Sequence, residues 1–222
     1  MPARSLHGFL NPSEPKTKRF WILAPLIGSL IFIVLYVISA MLYPGGSHAD
    51  AHSKGFSWMH NYWCNLLNEP AMNGEMNKGR PVAIAAMIVL ALTLLSFWLL
   101  YPKLMQFKST SRMIVWLSAF LSVISISFLS GPLHDISINI SGFFGLIAMA
   151  GAYIGIYKNR WYMLFAFGIL NLLLIAANNY MYHSGNGMYY LPVIQKIAFL
   201  SCLLWMCIIT VKLYNIRVYD RA

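Results

Sequence analysis

The chain has 222 residues, 59% of them hydrophobic and only 10% charged, with a mean hydropathy of +0.63. A soluble domain carries about a quarter charged residues, so these few charges exclude a surface bathed wholly in water. The formal net charge of +10 does not point to nucleic acid, because the cations cluster at the ends of apolar runs, where they set orientation in a membrane.

The first 19 residues are basic and polar. Phe20 to Tyr43 is apolar and uncharged, long enough for the roughly 20 residues a bilayer core requires. It is too long for a secretory signal and shows no small-residue cleavage site, so it is expected to be retained. Pro44-Gly45-Gly46 ends it. The second run, Val82 to Tyr101, is flanked by Pro81 and Pro102, the first at the favoured opening position of a helix. The third is Met113 to Leu129, rich in serine. The fourth is Ile136 to Tyr157, the fifth Trp161 to Tyr182, and the sixth Val193 to Val211, opened by Pro192. The expected architecture is an all-α membrane protein, a six-transmembrane-helix bundle over residues 20–212. A basic tail (1–19) precedes it, a short tail (213–222) follows it, and a long outer loop (44–81) joins helices one and two.

Lys and Arg are distributed unevenly. Arg4, Lys16, Lys18, Arg19, Lys103, Lys108, Arg112, Lys158, Arg160, Lys212, Arg217 and Arg221 fall on one side. Lys54, Lys78 and Arg80 fall on the other, with Lys196 just inside the last helix. Positive loops stay in the cytoplasm, so both termini are expected inside and the protein in a bacterial inner membrane. Trp21, Tyr101 and Trp161 suit interfacial belts.

This topology gathers the uncommon residues at the outer face. His48, His52, His60, His134 and His183 lie there, with Asp50, Glu69, Glu75 and Asp135. Chemistry is therefore expected at that face, although a long exposed loop also gathers polar residues without any function. In the loop, Gly45 and Gly46 permit a tight turn, and Ser57 can cap a short helix over 57–68. Trp58, Tyr62 and Leu66, with Trp63 and Leu67, would give that helix an aromatic face. His60, Asn61 and Cys64 would look elsewhere. The segment reads either as an interfacial anchor or as a lid over a cavity between the helices.

The run from Tyr43-Pro44-Gly45 through Gly55-Phe56-Ser57, Asn61-Tyr62-Trp63-Cys64 and Asn73-Gly74 to Asn77 resembles the bacterial membrane family catalogued as domain of unknown function 998. With the six-span layout, the resemblance covers nearly the whole chain. It implies a multi-pass membrane protein and no established activity, and it assigns no catalytic residues.

A second constellation is Ser130-Gly131-Pro132-Leu133-His134-Asp135, at the turn between the third and fourth spans. Asp135, Asn139 and Gly142 share a helical face, and Asn171, Asn178, Asn179 and His183 run toward the same outer end, where Gln195 and Lys196 open the last span. Polar side chains in lipid are expensive and face the bundle interior or a wet cavity. The stripes therefore suggest a polar pocket lined by Asn61, Cys64, Asn139, Asn178 and Asn179. The alternative is interhelical hydrogen bonding that serves packing. His134 and His183, with His60 from the loop, are suitable zinc ligands. Bound zinc would generate a nucleophilic hydroxide, with Ser130, Asp135 and Lys196 in catalytic roles. The Ser130-x-x-x-His134 spacing beside Asp135 resembles part of the CREST superfamily of membrane hydrolases, which includes alkaline ceramidases. That superfamily uses Ser, Asp and three His on seven helices. This chain has six expected helices, lacks the paired His on a late helix, and carries Pro132 inside the Ser–His turn.

Cys202 and Cys207 fall inside the sixth span as small hydrophobes. Cys64 has no outer partner for a disulfide. No nucleotide-binding, haem or zinc-finger pattern occurs, and no nucleic-acid partner is expected. Gly151-x-x-x-Gly155 with Ala148 and Ala152 on the fourth span invites close packing, either internal or as a homodimer seam. Two readings follow. One is a metal-dependent hydrolase of a membrane lipid or lipid-linked amide; the other is a non-catalytic protein that binds, senses or transports a small amphiphile.

Overall fold

The computed structural model describes residues 20–126 and 134–219, with side chains described over 136–216 of the second stretch. A 3-10 turn, Trp21–Leu23, leads into α1 (Ala24–Met41). Then follow α2 (Arg80–Leu104), α3 (Ser109–Ile126), α4 (His134–Lys158), α5 (Tyr162–Ser184) and α6 (Leu191–Tyr219). Six helical segments are long and apolar enough to cross a membrane, as a multi-pass protein requires. Among the described residues there is no strand, only two isolated bridges in the loop between α1 and α2.

The helix ends follow local chemistry. Pro25 and Pro81 sit in the first turns of α1 and α2, where the missing N–H costs nothing. Pro102 was expected beyond the second span, yet α2 runs through it to Leu104. A proline this close to a C-terminus deprives only one carbonyl of its partner, and the last turn persists. α5 ends at Gly185 in the left-handed region (φ 72°). α2 and α4 end instead at Gln106 (φ 55°) and Arg160 (φ 58°). At both, the next residue's N–H reaches back five residues, Phe107 to Pro102 and Trp161 to Ile156, which satisfies carbonyls the helix leaves open.

Consecutive helices pair as hairpins, α1 with α2, α3 with α4 and α5 with α6. α2 also touches α3, α4 and α6, and α6 closes back on α1. Outward faces are apolar; Leu30 and Val34 of α1 and Leu173 of α5 are among the exposed side chains. Small residues let the helices approach. Ala148 and Ala152 are fully buried, and the Gly151–Gly155 face of α4 meets Val115, Phe107 and the Tyr101 hydroxyl from within the bundle.

Polar groups tie the interior. Tyr101 donates to the Ala152 carbonyl (2.8 Å), Tyr153 to the Gly168 carbonyl (2.9 Å) and Trp205 to the Leu164 carbonyl (2.8 Å). Ser201 donates to Asn171 Oδ1 (2.6 Å), so Asn171, fully buried, joins α5 to α6 as packing glue. The Tyr153 and Trp205 bonds lie toward the basic end of the bundle. They hold α4, α5 and α6 together there.

Candidate functional site

The loop between α1 and α2 is a folded lid on one end of the bundle. Gly46 adopts φ 83°, and a Cβ there would run into the backbone of Met72 and Asn73, so only glycine fits. The Gly46 N–H donates to Ser53 (2.7 Å) and the Gly55 N–H to Pro44 (3.1 Å), closing a small hairpin. Asparagine side chains then replace backbone ladders. Asn61, fully buried, accepts the Ser57 N–H (2.8 Å) and donates to the Gly46 carbonyl (2.9 Å). Asn77 donates to the Leu66 and Asn68 carbonyls (3.0 Å each) and accepts the Gly79 N–H (3.0 Å).

The helix expected over 57–68 is broken in two. Ser57 does cap a turn, its Oγ accepting the His60 N–H (3.2 Å). At Tyr62 the chain becomes extended (ψ 156°), and a 3-10 helix follows over Trp63–Leu67. The break has a physical cause. Asn61 is pinned to Gly46, and the Asn65 side chain takes the Tyr62 N–H (2.6 Å), so the continuous i to i−4 ladder cannot form. Trp63 stacks on Tyr36 (centroids 4.6 Å apart) and packs against Phe32 and Phe199, and the Tyr36 hydroxyl donates to the Trp63 carbonyl (3.1 Å). Trp58 remains 49% exposed.

Beneath the lid, a cavity of about 310 Å³ lies between α4, α5 and α6. Tyr62 and Cys64 roof it. Ile138 and Asn139 of α4 form one wall. Asn178, Asn179, Tyr182 and His183 of α5 form another, and Leu191 and Gln195 of α6 close the back. The spacing explains the α5 wall: Asn178 with Tyr182 and Asn179 with His183 are helical i, i+4 neighbours. Gln195 also receives the Trp63 N–H (3.2 Å), which joins the roof to the back wall. Asn178 Oδ1 is buried without a hydrogen-bond partner among the described residues.

The other sequence candidates are placed elsewhere. Lys196 is one helical step from Gln195, so it points away from the cavity and into the lid. It is buried, donates to the Asn61 and Pro192 carbonyls, and lies 5.8 Å from the Phe56 ring centre. Asn61 holds the lid from inside and does not line the cavity. His60 has both ring nitrogens engaged, Nδ1 with Ser57 Oγ (3.2 Å) and Nε2 with the Tyr189 hydroxyl (3.1 Å). Burial pushes the Cys64 thiol above its ordinary range, keeping it protonated and weakly nucleophilic. Ser130 lies outside the described residues, as do the side chains of His134 and Asp135. Among the described residues, no three of His, Cys, Asp and Glu come together as a metal group would require. Sequence reasoning missed the lid's asparagine framework and the links from Tyr189 and Gln195 to it. The Asn-rich loop was the available signal, but nothing local says which distant carbonyl an amide will find.

No family model matches this chain, and neither the curated proteins nor the solved structures yield a match.

Proposed function

We propose that the protein binds a small neutral amphiphile, without catalysis, in the cavity beneath the lid. The observation that carries this is Asn178 Oδ1, a buried acceptor with no partner among the described residues, in a cavity otherwise lined by amides, phenols, apolar side chains, the Cys64 thiol and the His183 imidazole. Buried polar atoms are nearly always paired, so this acceptor asks for a hydroxyl or amide N–H from a ligand. The described lining holds no carboxylate and no ammonium, which suits an uncharged headgroup, and Ile138 and Leu191 suit the start of an acyl chain. A hydrolytic reading has less behind it, because the Lys196 ammonium is spent on two carbonyls and both ring nitrogens of His60 are engaged. The recurring Lys and Arg excess at the opposite face supports a lid that faces away from the cytoplasm, with both termini inside.

The test is native mass spectrometry of the full chain with a monoacylglycerol and with the fatty acid of the same chain length. Binding of the monoacylglycerol in preference to the acid, lost in Asn178→Leu with the fold intact, is the expected result. Equal retention of both ligands, or release of free fatty acid from the ester, would overturn it.

A further inference from the structure

A second cavity, of about 560 Å³, lies at the opposite, basic end of the bundle in the groove between α3 and α4. Its composition changes along its length. Ile114, Ala150 and Ile154 line the deeper part, within segments apolar enough to lie in hydrocarbon. Lys108, Lys158, Ser111 and Asn159 line the mouth. Both lysines are exposed, and neither has an ion-pair partner among the described residues. Lys103 and Arg112, by contrast, are engaged over the Trp116 ring at 5.1 and 5.3 Å. Gln106 also lines the groove from a left-handed backbone (φ 55°) that glycine would adopt at lower cost.

We propose that this groove is a binding site for an anionic phospholipid, its phosphate held by Lys108 and Lys158 and an acyl chain lying along Ile114, Ala150 and Ile154. An apolar trough at membrane depth faces lipid chains, not water or a soluble partner. Two uncompensated ammonium groups at its mouth, with hydroxyl and amide donors beside them, select a negatively charged headgroup over a zwitterionic one. Each basic side chain near a membrane surface strengthens binding to anionic lipid roughly fivefold, so the pair is worth on the order of twentyfold. The site is independent of the cavity beneath the lid.

The experiment is native mass spectrometry of the full chain in detergent with phosphatidylglycerol or phosphatidylcholine of identical chains, each with and without millimolar inorganic phosphate. Phosphatidylglycerol is expected to bind at least tenfold better than phosphatidylcholine and to resist competition by phosphate. K108Q/K158Q is expected to remove the preference, Ala150→Trp to block the chain and weaken both lipids, and Lys212→Gln, on the same face but outside the groove, to change little. Equal binding of the two lipids by the unaltered protein would overturn the proposal whatever the variants do. So would an equal loss in Lys212→Gln, which would indicate diffuse charge attraction, or displacement by inorganic phosphate, which would indicate a simple anion site.

Discussion

Asn61→Ala is the sharpest perturbation of the lid. The amide accepts the Ser57 N–H at 2.8 Å and donates to the Gly46 carbonyl at 2.9 Å, and Asn61 is fully buried. Alanine leaves both backbone groups without these bonds. Each costs about 1–3 kcal/mol when left unsatisfied; partial exposure at Ser57 places the sum at roughly 2–4 kcal/mol. The loss falls on lid closure, because the helices keep their own hydrogen bonds and local opening is the cheaper route. At a factor of ten per 1.4 kcal/mol, the open fraction should rise roughly 30- to 700-fold. Cys64 roofs the cavity under the lid, so its labelling by a membrane-impermeant maleimide reports opening, in a Cys202→Ala/Cys207→Ala background. Helix content by circular dichroism should remain unchanged. Labelling of Asn61→Ala within threefold of its parent would refute the view that this asparagine holds the lid shut.

Lys196→Met should destabilise the lid by about 1–3 kcal/mol, since two carbonyls lose a charged donor while no unpaired charge stays buried; unchanged Cys64 labelling would contradict this. Cys64 has a folded-state pKa raised by burial, so its contribution to lid closure is complete below about pH 8.5 and is lost as pH rises through the folded value. The labelling protection factor, corrected with a peptide of the same segment, should therefore be flat from pH 7 to about 8.5 and fall above that; a flat profile to pH 10.5 would count against it. Gln106→Gly should stabilise the protein by about 1 kcal/mol through relief of the left-handed backbone, read as a melting-temperature rise of roughly 2–4 °C; a decrease would show that the Gln106 side chain matters more than its backbone.

The six spans were legible because an apolar run needs no long-range information: lipid satisfies one face of every helix whatever its neighbours are. Helix ends are less legible, because composition places Pro102 outside the span while the last turn of α2 accommodates it. The lid was legible only in part. Gly46 signals a turn by itself, but the helix expected over 57–68 fails because Asn61 bonds Gly46, fifteen residues away, and Asn65 takes the Tyr62 N–H. Side chain to backbone bonds across such distances leave no periodicity. Lys196 illustrates the same limit. Helical phase separates it from Gln195 by about 100°, and which of the two meets the cavity depends on where the lid lies.

The most direct measurement of the central reading is protection of Cys64 by ligand in the Cys202→Ala/Cys207→Ala background with the lid and cavity otherwise unaltered. Cys64 lines the cavity together with Asn178, so an amphiphile that fills the cavity covers the thiol. A monoacylglycerol is expected to slow maleimide labelling of Cys64 at least tenfold with saturation, and Asn178→Leu is expected to abolish that protection. Labelling that proceeds at the same rate with and without the ligand, across its soluble range, would contradict an amphiphile site beneath the lid.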